Sequence, residues 1–138
     1  MIGIVVATHG TLAAGFENAL NLIMGQIENS KFLGLNEGNN IDNFGQAIYQ
    51  SVVQLDEGQG VLVFTDLQGA TPFNQAVSKL RSLKPTQFEI ITGVNLPMLV
   101  EAINERLLGK DLQFIKNAAM KVGQTGINDL TTLLDQKS

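Results

Sequence analysis

Two short apolar runs constrain the fold of this chain more than any other feature of its sequence. Residues Ile2–Ala7 and Gly60–Thr65 are rich in β-branched side chains and almost free of polar ones. Runs of this length and composition are typical of strands that are buried on both faces. Such strands occur in the middle of parallel sheets that helices cover on either side, so both runs are predicted to be central.

The segments between these runs complete an alternation of strands and helices. Weaker strands are predicted at Lys31–Leu35 and Gln87–Thr92. Apolar residues at helical spacing predict helices at Leu12–Met24, Ile41–Leu55, Thr71–Leu83, Asn95–Leu108 and Asp111–Val122. Right-handed crossovers between the strands then give an α/β fold, with an open, mostly parallel sheet of four strands and helices on both faces.

Apolar stripes indicate which helix faces are buried. Phe16, Leu20 and Ile23 share one face of the first helix. The second helix carries a longer stripe, formed by Phe44, Ile48, Val52 and Leu55. The C-terminal stretch Gly126–Leu130 fits either a short strand or the start of another helix.

Composition narrows the classes of function. A chain of 138 residues with 44% hydrophobic residues favours one folded domain over residues 1–138. The net charge of −4 argues against binding to nucleic acid or to an anionic membrane surface. With one histidine, no cysteine and no clustered carboxylates, neither a metal site nor a cofactor is predicted. Arg81, Lys84 and Arg106 are expected to be solvated surface residues.

No segment of the sequence predicts insertion into a membrane. The apolar N-terminus lacks a basic leader, and it is much shorter than the roughly 20 residues that a membrane span needs. We therefore expect the protein to be cytoplasmic.

Polar residues follow the two central strands at the edge where ligands bind in open parallel sheets. His9 ends the first strand and Asp66 follows the third, so both are expected in one crevice. A lone histidine or a turn aspartate is often merely structural. Their pairing favours chemistry, because an aspartate that accepts a hydrogen bond from one ring nitrogen frees the other nitrogen for nucleophilic attack. Gly10 leaves room for another molecule to approach the ring.

The start of the third helix is a candidate phosphate cradle. In Gly69-Ala70-Thr71-Pro72, Thr71 suits the N-cap position and Pro72 the first helical position. Free N–H groups and the helix dipole attract anions at such a terminus, and the small residues Gly69 and Ala70 allow close approach. Thr8 and Thr11 could each bind a phosphoryl oxygen or cap the first helix. Capping is favoured for Thr11, and Thr8 is a further candidate ligand of the phosphoryl group.

Three motifs resemble those of the mannose/fructose/sorbose family of IIA components in the bacterial phosphoenolpyruvate-dependent sugar phosphotransferase system. They are Ile4-Val5-Val6-Ala7-Thr8-His9-Gly10, Phe64-Thr65-Asp66-Leu67-Gln68-Gly69-Ala70-Thr71-Pro72-Phe73-Asn74 and Gly93-Val94-Asn95-Leu96-Pro97-Met98-Leu99. The resemblance spans nearly the whole chain and implies a flavodoxin-like sheet. It also implies a homodimer that exchanges a C-terminal edge strand, for which Gly126–Leu130 is the matching segment.

The resemblance implies roles for individual residues. His9 would accept a phosphoryl group from the phosphocarrier HPr and pass it to a IIB component, and so act indirectly with the membrane components IIC and IID. Asp66 would support His9, and Thr71 would stand where many members of the family have serine. Because the sequence ends without a linker, its IIB partner is expected to be a separate protein. The sugar is not specified by these residues.

Other functions remain open at this stage. The chain also fits the histidine domain that feeds dihydroxyacetone kinase, or a regulatory module that reports its own phosphorylation state. A receiver domain is disfavoured because it needs an acidic cluster after the first strand. A flavin carrier is disfavoured because the chain has no Trp, and its single tyrosine, Tyr49, is placed in the middle of a helix.

Overall fold

The computed structural model of the protein describes residues 1–136. The strands are β1 (Gly3–His9), β2 (Ser30–Leu35), β3 (Val61–Thr65) and β4 (Phe88–Ile91). The helices are α1 (Leu12–Met24), α2 (Ile41–Leu55), α3 (Thr71–Leu80), α4 (Leu96–Leu107), α5 (Leu112–Thr125) and α6 (Leu130–Gln136), and a short 3₁₀ helix covers Pro85–Gln87.

The sheet has the order β2-β1-β3-β4, and every strand pair is parallel. This is an α/β fold of the flavodoxin-like type, as predicted. β1 and β3 lie in the middle, which confirms that the two most apolar runs are the central strands. Each has a strand on either side, and all five residues of β3 are buried.

Helices cover both faces of the sheet and form two separate hydrophobic clusters. On one face, α1, α4 and α5 pack against alternate residues of the central strands, including Ile4, Val6, Leu62 and Phe64. On the other face, α2 and α3 pack against Val5, Ala7, Val61 and Val63. The strict alternation of these side chains holds β1 and β3 in one register, which fixes where their carboxyl ends stand.

The predicted apolar stripes of α1 and α2 are not buried to the same extent. All four residues of the α2 stripe, Phe44, Ile48, Val52 and Leu55, are buried, as predicted. On α1, Leu20 is buried and Phe16 packs against the core, but the prediction for Ile23 was wrong, because its side chain is 55% exposed. The first cluster is closed there by Met24 and Ile27 instead.

Two helices end three residues away from the sequence-based boundaries, whereas the remaining helix ends agree to within one residue. α3 ends at Leu80 rather than Leu83, because the chain tightens into a turn in which Leu83 N–H donates to Leu80 C=O. Pro85 follows, and a residue that precedes proline disfavours helical geometry. α5 continues three residues beyond Val122, to Thr125.

In the single chain, the C-terminal stretch Gly126–Leu130 leads into a helix and does not form a strand. Residues 126–129 form no strand, and α6 starts at Leu130. Several apolar side chains of this segment face solvent, among them Ile127, Leu130 and Leu134. Exchange of this segment between two copies stays a prediction about the assembled protein.

No helix within residues 1–136 is long and apolar enough to cross a membrane.

Arg106 is a buried structural residue, so its assignment to the solvated surface was wrong. Only 4% of its surface is exposed. Its guanidinium donates to the carbonyls of Ile2 (2.9 Å), Asn29 (3.1 Å) and Glu28. Burial lowers the pKa of this guanidinium, and the charges of Glu28 and Glu57 oppose that shift. Arg106, on α4, therefore links the residue that precedes β1 to the two residues that precede β2.

Arg106→Met should lower the free energy of unfolding by about 2–4 kcal/mol, because the carbonyls of Ile2, Asn29 and Glu28 each lose a hydrogen bond from the guanidinium at once. Urea denaturation of both proteins measures the difference. Arg81→Met is the matched control, since Arg81 is exposed at the end of α3 and its replacement should change stability by less than about 0.5 kcal/mol. Equal losses in the two variants would contradict the structural role of Arg106.

Candidate active site

The candidate site lies at the carboxyl ends of the two central strands. Here the chain order of the sheet reverses, because β2 lies on one side of β1 while β3 and β4 follow on the other. Such switch points are where open α/β sheets bind ligands. His9 is the last residue of β1 and Asp66 is the first residue after β3, and Ala7 pairs with Thr65 between the strands.

A single carboxylate oxygen joins His9 and Asp66. Asp66 Oδ2 lies 2.8 Å from His9 Nδ1 and also accepts the His9 backbone N–H at 2.9 Å. The other oxygen, Oδ1, accepts the backbone N–H of Leu67 at 2.9 Å. The His9 side chain is 46% exposed, whereas that of Asp66 is 11% exposed. The carboxylate thus holds the ring from the protein side and leaves its outer edge open.

The electrostatics of the pair select one form of the ring. Burial tends to raise the pKa of the Asp66 carboxyl, but hydrogen bonds from the His9 backbone, the His9 ring and Leu67 outweigh it, so the pKa is lowered overall. An ionised carboxylate only accepts hydrogen bonds, so Nδ1 of His9 carries the proton. The Nε2 lone pair of the neutral ring is then available for nucleophilic attack.

Two glycines shape the loop behind His9. Gly10 has φ +55°, which favours glycine, and its N–H donates to Leu35 C=O at 2.7 Å. Gly34 of β2 faces this loop, and a Cβ there would lie 2.1 Å from Gly10 O. Gly34 was not among the residues singled out from the sequence, because a glycine within a short strand run does not indicate which backbone comes close to it.

Thr8 does not face the site, so its prediction as a phosphate ligand was wrong. The residue is fully buried. Its hydroxyl accepts the N–H of Ala13 at 2.8 Å and donates to His9 C=O at 3.2 Å. Thr11 stands at the N-cap position of α1 but makes no capping hydrogen bond with its side chain. Thr8 therefore performs the capping expected of Thr11, and it ties β1 to α1 directly beneath His9.

α3 begins at Thr71, as predicted, but its N-cap residue lies one position earlier than predicted. Ala70 is the N-cap residue, with φ −89° and ψ 175°, and Thr71 and Pro72 occupy the first two helical positions. The prediction that Thr71 is the N-cap residue was therefore wrong. No side chain caps this helix from Ala70; the Asn74 side chain instead donates to Gly69 C=O at 3.0 Å. Gly69 is exposed and has φ +78°.

This helix start presents unpaired backbone donors. Among the described residues, the N–H groups of Thr71 and Phe73 have no hydrogen-bond partner, and Pro72 has no N–H. Asn74 N–H already closes the first turn on Ala70 C=O, at 2.9 Å. Two donors at the positive end of the helix dipole are thus free to bind an anion.

The part of the chain that the structure describes has no group of three or more His, Asp or Glu side chains that could hold a metal ion.

Comparison with known proteins gives a consistent family. The mannose-specific EIIAB component of the phosphotransferase system (PTS) from Escherichia coli K12 is 30% identical over 94% of this chain. The chain spans only 39% of that protein, well under half its length. The fructose-specific EIIA component of Bacillus subtilis is 28% identical over 81% of this chain and 77% of that protein.

A solved structure extends the similarity to three dimensions. The phosphotransferase system component EIIA from Streptococcus agalactiae superposes with a TM-score of 0.87 at 27% identity, covering 96% of this chain and 99% of that one. The sequence profile of the family described as the PTS system fructose IIA component (EIIA-man) matches residues 3–120, a range that includes His9, Asp66 and the start of α3. The chain therefore belongs to this family of PTS IIA components.

Proposed function

We propose that His9 carries a phosphoryl group that it receives from phospho-HPr and passes to a IIB component. The hydrogen-bonded pair of His9 and Asp66 carries this proposal, because it presents one nucleophilic nitrogen at an exposed edge. Membership in the IIA family supports the same direction of transfer.

The proposed transfer needs only the groups of this pair. The Nε2 lone pair of His9 attacks phosphorus, and the bond between phosphorus and the donor breaks with its electrons returning to the donor. The ring then bears a positive charge, with phosphorus on Nε2 and the proton on Nδ1. Asp66 stabilises that charge through Oδ2. In the second half-reaction the N–P bond breaks and its electrons return to the ring as the IIB nucleophile bonds to phosphorus.

The phosphoryl oxygens are proposed to lie against the start of α3. The free N–H groups of Thr71 and Phe73 are the donors, and the hydroxyl of the half-buried Thr71 is a third. Gly69 and Ala70 place little side-chain bulk in front of them. Thr8 contributes indirectly, because it fixes the carbonyl of His9 from below.

The setting of the reaction follows from the family resemblance. We place the relay in the cytoplasm, with IIB passing the phosphoryl group towards the membrane components IIC and IID during sugar uptake. The chain as a single domain and the assembly as a homodimer are further proposals. The exposed apolar residues of the C-terminal segment, Ile127, Leu130 and Leu134, support the homodimer.

The acceptor can be tested directly, since the chain has only one histidine. Incubation with phosphoenolpyruvate, enzyme I and HPr should add one phosphoryl group that is labile to acid and stable to base. Intact-mass spectrometry measures the addition, and His9→Gln should abolish it. Full labelling of a folded His9→Gln protein would rule out His9 as the acceptor.

Asp66→Asn should slow transfer by about 10²-fold or more, because a neutral amide carries no negative charge to stabilise the charged ring, and its NH2 group would face the N–H of Leu67. The variant should also lose stability above the ordinary carboxyl pKa. Because the folded-state pKa is lowered, that stability difference should disappear as the pH falls through it. Rapid-quench transfer assays and denaturation at several pH values measure the two effects.

Asp56→Asn is the matched control for this experiment. The Asp56 carboxylate accepts the N–H groups of Gly58 and Gly60, and these bonds outweigh the effect of burial and lower its pKa. Its replacement should reproduce the pH-dependent loss of stability and leave transfer unchanged. Equal transfer rates in Asp56→Asn and Asp66→Asn would count against a role for Asp66 in the reaction.

Ala70→Leu should reduce transfer by about tenfold or more, because its side chain enters the space in front of the free donors. The melting temperature should change little, since alanine and leucine are equally poor N-cap residues. Ser78→Leu on the exposed part of α3 is the control and should transfer normally. Normal transfer in a folded Ala70→Leu protein would place the phosphoryl group elsewhere.

A further inference from the structure

We propose that the loop between β4 and α4, residues 92–95, is a positioning element for Asp66, with Gly93 and Asn95 as its positioning residues. This inference rests on the proposed function, since the position of Asp66 matters only if the pair with His9 transfers phosphate.

Hydrogen bonds from the β4 side hold the main chain of Asp66. Gly93 N–H donates to Asp66 C=O at 3.0 Å, and Val94 N–H donates to Thr65 C=O at 3.1 Å. Beneath them, the buried Thr65 hydroxyl donates to Ile91 C=O at 3.1 Å. The ladder between β3 and β4 ends at the pair Phe64 and Ile91. Beyond the last β3–β4 pair, hydrogen bonds from this loop therefore replace those of the sheet at Thr65 and Asp66.

Gly93 makes this contact through its backbone conformation. Its φ is +69°, in the left-handed region that strains residues with a Cβ. A Cβ added there would meet no atom within 4 Å. Glycine is therefore required by the backbone angle and not by lack of space, so Gly93→Ala disturbs the angle alone.

Asn95 anchors the other end of the loop with both atoms of its amide. Oδ1 accepts the N–H of Met98 at 3.1 Å and so caps α4. Nδ2 donates to Gly123 C=O at 3.0 Å and so fixes the loop to α5. The helices touch closely here, since a Cβ on Gly123 would lie 2.4 Å from Met98 Cγ. The cap and the anchor thus depend on different atoms of one side chain and can be separated.

The opposite side of the loop is not packed. Thr92, Gly93 and Asn95 line an open cavity of about 510 Å³, together with Gln68 from the loop that carries Asp66 and Phe73 from α3. No core lies behind the loop on this side, so the hydrogen bonds to Asp66, Thr65 and Gly123 hold it together with Val94, which packs against the first hydrophobic cluster. Loss of the anchor should let Asp66 move relative to the His9 ring.

Asn95→Asp is the decisive variant. It keeps an oxygen that caps α4 but removes the donor to Gly123. Asn40→Asp is the matched control, because Asn40 caps α2 in the same way, through Oδ1 to Asn43 N–H at 2.9 Å. Gly93→Ala is the second variant, with Gly109→Ala as its control, since Gly109 has φ +78° and equally open surroundings.

The readout is the ¹⁵N spectrum of the His9 ring, which is unambiguous because the chain has one histidine. The unaltered protein should show a single tautomer with the proton on Nδ1. Asn95→Asp and Gly93→Ala should both show a mixture of tautomers, and both should transfer phosphate about ten- to a hundredfold more slowly. The two controls should keep the single tautomer and the normal rate, even if they lose equal stability.

The outcomes separate the two proposals. A single tautomer and a normal rate in either folded variant, Asn95→Asp or Gly93→Ala, would overturn the positioning role. If the unaltered protein shows the Nδ1 tautomer but is never phosphorylated, the proposed function fails, while the tautomer mixture in the variants would still establish the positioning.

Discussion

The site depends on one shared hydrogen-bond acceptor. Asp66 Oδ2 accepts from the backbone of His9 and contacts the ring nitrogen of the same residue, so one atom fixes both where the histidine stands and how its ring is turned. The backbone bond matters as much as the ring bond, because the ends of β1 and β3 are no longer joined by the sheet at this point. A shift of either strand end would break both contacts together. The register of the central strands therefore sets the geometry of the His9–Asp66 pair as well as the packing of the core.

The support for this acceptor comes from contacts on several sides of the pair. Thr8 fixes the carbonyl of His9 and the first turn of α1, and the close approach of Gly34 fixes Gly10. On the β4 side, Gly93 and Val94 hold the backbone of β3 and Asp66. None of these groups needs to touch a phosphoryl group to affect its transfer. A histidine with a 46% exposed side chain is thus held by contacts that lie almost wholly behind it.

The sequence was most informative where a pattern follows from periodicity. The α2 stripe and the central strands were predicted correctly because every member obeys one rule of spacing and burial. The residues it missed act through atoms that no pattern specifies. Arg106 looks like any surface arginine until the carbonyls of Ile2, Asn29 and Glu28 converge on it. Thr8 and Thr11 differ only in which hydroxyl faces α1. Likewise, Ala70 and not Thr71 is the N-cap residue of α3, and it is the Asn74 side chain that binds the preceding loop, at Gly69 C=O. Hydroxyl and amide partners are decided by tertiary geometry, so residue type alone leaves them open.

The division between a buried carboxylate and an exposed ring fits a carrier better than a hydrolytic enzyme. A carrier must offer the same nitrogen first to a donor and then to an acceptor, so the reacting edge has to remain open to two different proteins. An enclosed site would hold the phosphoryl group more firmly but would exclude one of them. Here the carboxylate and the strand ends hold the ring from within, while the His9 side chain stays 46% exposed. Because the Asp66 carboxylate already fixes the ring from within, no part of the protein has to close over its exposed edge to orient it. In the proposed transfer, the two free backbone donors at the start of α3 would orient the phosphoryl group without enclosing it, so the group could leave by the route it entered.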